Sequence, residues 1–280
     1  MIYGHLVTRE FRAAFGRGSG LRHMYVITLR EPSSWLVSFY EELMLHEQAA
    51  FLKAAPNATR RQRALADNMC HTCVARDRRL SLDPAAAADN LATLAHEMCL
   101  SYANRVLDAP TVLALCARVP AKAAPLRYNT TTGLPIPLDE AAAAAAKLTA
   151  AEYVELAKAG TSDDASAAEA AAAVAAAQRE LEGDCNMLVL INERWYDSLE
   201  LTRHLLGEPC LPYECWDVSL HRNELSAQGR DGGYRQSSQA NSHISLDFLA
   251  ALGPTLLEPL SAVYNAAALR FDKLLHMART

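Results

Sequence analysis

The run Met24-Tyr-Val-Ile-Thr-Leu-Arg-Glu-Pro-Ser-Ser-Trp-Leu-Val-Ser-Phe-Tyr40 constrains the fold more than any other part of the chain. Tyr25 to Leu29 are aromatic, β-branched or aliphatic, a pattern that predicts a buried strand. Arg30 stands at its end. Glu31-Pro32 then stops the strand, and Pro32 suits the first turn of a helix, where its missing N–H costs nothing. Trp35, Leu36, Phe39 and Leu43, with Tyr40, recur at helical spacing, so a helix is expected from Ser33 to about His46. Strand, arginine, turn and helix together place a fixed cation at the carboxyl end of a sheet strand, beside a helix N-terminus that favours anions. Ser38 follows Arg30 by eight positions, within reach of the same anion. The plain alternative pairs Arg30 with Glu31 or Glu41 and leaves Ser38 an ordinary helix residue.

A chain of 280 residues buries a full core, and one α/β domain is the better expectation than two small ones. Although 51% of it is hydrophobic, much of that is alanine, so the core is smaller than the figure implies. A net charge of −5 and a pI near 6.0 argue against general nucleic-acid binding, leaving any anionic ligand to local arginines. No stretch approaches the roughly 18–20 uninterrupted apolar residues of a membrane span. The start, Met-Ile-Tyr-Gly-His, lacks the basic and apolar regions of a signal peptide. Seven cysteines leave at least one unpaired within a monomer. Asn57-Ala-Thr59 and Asn129-Thr-Thr131 fit the glycosylation acceptor pattern and give weak support for a secretory-pathway lumen.

Gly16-Arg-Gly-Ser-Gly20 is glycine-rich but lacks the Lys-Ser/Thr ending of a P-loop, and reads as a connection between a helix over 9–15 and the Tyr25 strand. From His46 to about Val119 the pattern is helical, with a polar link beginning at Phe51 and passing through Pro56-Asn57. Arg60, Arg61, Arg63, Arg76, Arg78 and Arg79 form a basic run, read either as a solvated face or as a surface for a sulfated or uronic-acid polymer. Asp83 is an N-cap and Pro84 a first helical residue for a helix to about Leu107, and Pro110 starts a shorter one. Cys70-His-Thr-Cys73 would need a second pair to hold a structural zinc, and the pair on offer, Cys210 and Cys215, is separated by four residues rather than two. His96-Glu-Met-Cys99 starts like a zincin helix but has Leu100 where the second His is needed, so no metal is expected. The cysteines then read as helix residues or disulfide partners, with Cys210–Cys215 a plausible local bridge. Residues 120–138 read as a surface loop. Residues 139–183 are alanine-rich and predict two helices, 139–159 and 163–182, ended by Gly160 and Gly183. With little large apolar surface, this hairpin is expected as an insertion at the domain edge. Met187–Ile191 is a buried strand and 197–206 an amphipathic helix, capped by Asp197 or Ser198.

Three of these segments resemble sulfotransferases that use 3′-phosphoadenosine 5′-phosphosulfate (PAPS). In that family a strand ends in Arg-x-Pro and a Ser follows eight residues after the Arg, as in Arg30-Glu-Pro32 with Ser38. Ile2-Tyr3-Gly4-His5-Leu6 resembles the strand-end Gly-His of glycosaminoglycan sulfotransferases and the His-Leu of galactose sulfotransferases. Residues 185–206 resemble the galactose sulfotransferase segment in which a Val-Leu-Ile strand leads to Glu-x-Phe-Asp-Glu-Ser-Leu. Here Tyr196 replaces the Phe, and the Glu before Ser198 is absent. Trp216-Asp217-Val218 and Asn223 continue that likeness, and Leu257 to Phe271 is similar to the family's closing helix.

The resemblance implies a mostly parallel central sheet flanked by helices, a P-loop-like sulfotransferase fold lacking its first strand–loop–helix, as one domain over 1–280 with 139–183 inserted. It implies sulfuryl transfer from PAPS to a hydroxyl of galactose or uronic acid on a glycolipid, glycoprotein or proteoglycan. Galactosylceramide and heparan sulfate sulfotransferases are the nearest types. In it His5 is the general base, since a sugar hydroxyl needs one and imidazole titrates near neutrality. Arg30 and Ser38 hold the 3′-phosphate, completed by Arg230 and Arg235 from the late polar loop. The family's element for the 5′-phosphosulfate lies upstream of its Gly-His segment, so a longer form with that loop and a membrane anchor in the Golgi lumen is expected. The alternative is an inactive relative that binds glycan or adenosine bisphosphate without turnover.

Overall fold

The computed structural model describes residues 25–69, 78–122, 139–160, 164–183, 187–207, 250 and 252–280. Among these, helices dominate, around a two-stranded parallel sheet. Strand β1 is Tyr25–Leu29 and β2 is Met187–Ile191, the same limits that the apolar runs predict. Their register pairs Tyr25 with Met187 and Leu29 with Ile191, so both strands end side by side. All five residues of β2 are buried. In β1, Leu29 is buried but Val26 is half exposed, so the expectation of a fully buried strand holds only towards its carboxyl end.

Helix α1, Pro32–Ala54, continues past the link expected from Phe51 and stops at Ala55. The residue before a proline is driven out of the helical region, and Ala55, preceding Pro56, is extended. Trp35, Leu36 and Tyr40 bury one face of α1. Helix α2, Arg60–Met69, packs against α1, with Lys53 paired to Asp67 at 3.3 Å. Asp83 accepts from Ala85 N at 3.1 Å and starts a 3₁₀ turn that leads into α3, Ala87–Ala103. That helix ends before Leu107, and α4, Ala109–Cys116, follows with Pro110 in its first turn. A disulfide joins Cys99 of α3 to Cys116 of α4, both fully buried, which settles the role of two of the cysteines.

The alanine-rich segment differs from its expected form in two ways. It makes three helices: α5, Glu140–Ala146; α6, Ala150–Gly160; and α7, Asp164–Gly183. It also enters the core, where Leu148, Tyr153 and Leu181 are at most 1% exposed. The break between α5 and α6 has a tertiary cause. Thr93 of α3 takes both backbone groups of Leu148, accepting from its N–H at 3.0 Å and donating to its carbonyl at 3.0 Å. Thr149 and Glu152 then form a capping box: Glu152 accepts from Thr149 N at 2.9 Å, and Thr149 Oγ1 from Glu152 N at 3.2 Å. Alanine's helix propensity, a few tenths of a kcal/mol over ordinary residues, is too small to resist such anchoring.

After β2, a short 3₁₀ turn (Asn192–Arg194) enters α8, Trp195–Leu206. Neither Asp197 nor Ser198 caps it as expected. Ser198 is buried and closes back on the strand, accepting from Ile191 N at 3.1 Å and donating to Ile191 O at 2.9 Å. A π-helical turn, Gly253–Leu257, leads into α9, Glu258–Arg279, which packs on β2, α7 and α8. Its Leu260, Val263 and Phe271 are fully buried. No helix among the described residues is long and apolar enough to cross a membrane.

Candidate functional site

Because β1 and β2 are parallel and in register, Arg30-Glu31 and Asn192-Glu193 leave the sheet together at its carboxyl end, the edge where open α/β sheets place their ligands. Arg30 Nη1 donates to Ser38 Oγ at 3.0 Å, across eight residues of chain. Both side chains are part-buried. Among the described residues Arg30 has no carboxylate partner, because Glu31 is engaged elsewhere. Its carboxylate caps α1, accepting from Ser33 N at 3.0 Å, Ser34 N at 2.8 Å and Ser33 Oγ at 2.6 Å. Burial works to raise the Glu31 pKa, but these hydrogen bonds from Ser33 and Ser34 outweigh it and hold the carboxyl below its ordinary value. The anion seat expected at the helix N-terminus is thus filled by the chain's own carboxylate. The side chains at this edge that could hold an anion are then Arg30 and Ser38.

The peptide unit that carries Arg30 into Glu31 is held at both polar ends. Tyr102 of α3 donates its hydroxyl to Arg30 O at 2.7 Å, while Glu31 N donates to Glu193 Oε1 at 3.0 Å. Glu193 Oε2 in turn accepts from Tyr264 of α9 at 2.9 Å. Three elements distant in sequence therefore fix one peptide, and with it the direction of the Arg30 side chain. Burial, reinforced by Tyr264 and Glu193, pushes the Tyr102 phenol far above its ordinary pKa. Tyr264 is raised as well, by burial first and then by the hydrogen bond to Glu193. Both stay protonated donors at any physiological pH. Trp35 packs beside Tyr102, 5.1 Å between ring centroids, and 4.9 Å from Phe39, with the Arg105 guanidinium 5.4 Å over its ring.

The neighbouring cations are committed to other partners. Arg194 binds Asp197 at 2.9 Å and also Asp272, and lies 4.9 Å over the Phe271 ring. Arg279 binds Asp197 at 2.8 Å and Glu200 at 2.6 Å. In the basic run, Arg60, Arg61 and Arg63 are exposed on α2, whereas Arg79 is buried against Glu97 at 2.7 Å.

Of the residues that the sequence singles out, the structure brings Arg30 and Ser38 together. His5, Arg230 and Arg235 lie outside the described residues, as do Cys70, Cys73, Cys210 and Cys215. Tyr102 carries no signal in sequence. Glu193 does carry one, since it follows the end of β2 as Glu31 follows that of β1.

Protein-family models, curated proteins and solved structures give no match to this chain.

Proposed function

We propose that this chain is a PAPS-dependent carbohydrate sulfotransferase built on the family's P-loop-like α/β fold, with Arg30 and Ser38 as its 3′-phosphate clamp. The observation that carries the reading is the 3.0 Å bond between Arg30 and Ser38 at the carboxyl end of a parallel strand. Arg30 uses the Ser38 oxygen as an acceptor, so the hydroxyl proton stays available to a phosphate oxygen, as do the remaining guanidinium donors. A planar guanidinium fork beside a hydroxyl matches the oxygens of a terminal phosphate, which the fork binds in pairs. In the reaction, a galactose or uronic-acid hydroxyl oxygen bonds to sulfur as the sulfur's bond to the phosphosulfate bridging oxygen breaks. Adenosine 3′,5′-bisphosphate departs, and the hydroxyl proton passes to the base, the role assigned to His5. Arg230 and Arg235 complete the 3′-phosphate pocket.

Calorimetric titration with adenosine 3′,5′-bisphosphate and with adenosine 5′-monophosphate, which lacks the 3′-phosphate, tests the clamp. The bisphosphate is expected to bind at least about tenfold tighter, and Arg30→Ala to erase that preference, as hydrogen bonds to a charged group contribute about 1.5–3 kcal/mol. Equal affinity for both nucleotides, or a preference that survives Arg30→Ala, overturns the assignment. Transfer of labelled sulfate from PAPS to galactosyl and uronic-acid acceptors tests the chemistry. Tight bisphosphate binding without transfer would leave a binding protein and remove the reaction.

A further inference from the structure

The turn between α1 and α2 carries a feature that sulfuryl transfer does not use. Ala55, Pro56, Asn57 and Ala58 form a β-turn closed by Ala58 N donating to Ala55 O at 3.2 Å. Pro56 and Asn57 are both exposed at its tip, and the Asn57 side chain makes no hydrogen bond among the described residues. Asn57-Ala-Thr59 is the acceptor triplet noted in the sequence. Thr59 begins α2 with a capping box, its oxygen accepting from Gln62 N at 3.2 Å while Gln62 accepts from Thr59 N at 2.8 Å. The triplet thus sits on a surface turn, with its hydroxyl residue ordered and its asparagine amide pointing to no partner.

A second, independent observation concerns the compartment. Cys99 and Cys116 are fully buried and bonded across two core helices. Such a bridge forms and persists where thiols are oxidised, as in the lumen of the secretory pathway, and is rare in a reducing cytosol. The same lumen is where asparagine triplets receive glycans. We infer that Asn57 is an N-glycosylation site. In the modification, Asn57 Nδ2 loses one proton as it bonds to the anomeric carbon of the first sugar. That carbon's bond to the pyrophosphate of a lipid-linked oligosaccharide breaks, and the lipid pyrophosphate leaves. Arg30 and Asn57 flank α1 at opposite ends, and 23 helical residues span about 34 Å. A glycan on Asn57 therefore stands clear of the nucleotide edge, and the inference holds whether or not this protein transfers sulfate.

The test expresses the full chain behind a cleavable secretory leader in eukaryotic cells, with Asn129→Gln to silence the second triplet. Peptide-N-glycosidase is expected to increase gel mobility and, in heavy-oxygen water, to convert Asn57 to a labelled aspartate. The shift is expected to vanish in Asn57→Gln and Thr59→Ala and to persist in Thr59→Ser, which keeps both the acceptor hydroxyl and the helix cap. Non-reducing peptide mapping of the same sample reports the Cys99–Cys116 bond. A chain with that bond closed and Asn57 unmodified overturns the inference, and so does a secreted chain with both cysteines reduced. Bisphosphate titration of the glycosylated and Asn57→Gln forms is expected to agree within about twofold, separating this result from the fate of the nucleotide clamp.

Discussion

Among single residues, the direction of the Arg30 side chain depends on groups that lie outside the proposed clamp. Tyr102 and Glu193 hold the two ends of its peptide unit, and Tyr264 holds Glu193. Glu193→Ala is therefore expected to weaken adenosine 3′,5′-bisphosphate binding about fivefold, the equivalent of one net hydrogen bond of about 1 kcal/mol. Glu193→Gln retains a carbonyl for Glu31 N and is expected to restore most of that affinity. Adenosine 5′-monophosphate, which makes no demand on Arg30, should bind both variants and the wild type alike. Calorimetry on the three proteins checks this; an equal loss for both nucleotides would mean that Glu193 supports the fold rather than the clamp. The Arg30–Ser38 pair itself was legible in sequence, because a strand end and the second turn of the following helix meet by local geometry. Tyr102 was not, since it lies 72 residues away and arrives only through the packing of α3 on α1.

At the scale of elements, local chemistry sets where helices begin, and tertiary contacts set where they break. Glu152 shows the first. Its carboxyl is pulled down to about 2 from the ordinary 4.5, chiefly by the backbone N–H of Thr149, then by Lys122 and the Thr149 hydroxyl. A depressed carboxyl contributes stability that is complete above its unfolded pKa and disappears as pH falls through the folded one. The start of α6 is thus expected to loosen as pH falls from 4.5 towards about 2, with a modest amplitude because water screens this exposed group. Glu152→Gln should flatten that part of the acid limb in a circular-dichroism titration. An unchanged limb would show that the capping box contributes nothing measurable. The break before α6 belongs to the second class. Nothing in a run of alanines announces that Leu148 will be gripped by Thr93, 55 residues earlier.

At the scale of the whole molecule, the alanine-rich segment is part of the core. Leu181 of α7 is fully buried, and Arg270 of α9 donates to its carbonyl. Leu181→Ala is expected to cost about 2–5 kcal/mol through lost burial and the cavity left behind. Leu65→Ala, on an exposed face of α2, should stay within about 0.5 kcal/mol of wild type. Urea unfolding of the two variants decides between a core role and the edge insertion that composition suggested. Composition misled here because an alanine count does not say which alanines are buried: Ala157 and Ala177 pack into the core beside Leu148, Tyr153 and Leu181. Both strands, to the residue, the helix that follows Arg30, and the nearness of Ser38 to Arg30 were readable in the amino-acid order alone. Each of these depends on neighbours within a few turns of chain, where side-chain period and proline geometry act directly. That β2 lies beside β1, and that Tyr102 and the Tyr264-held Glu193 meet on one peptide, came from long-range packing. Those choices depend on which distant surfaces bury each other, a property of the whole packed core that no local pattern encodes.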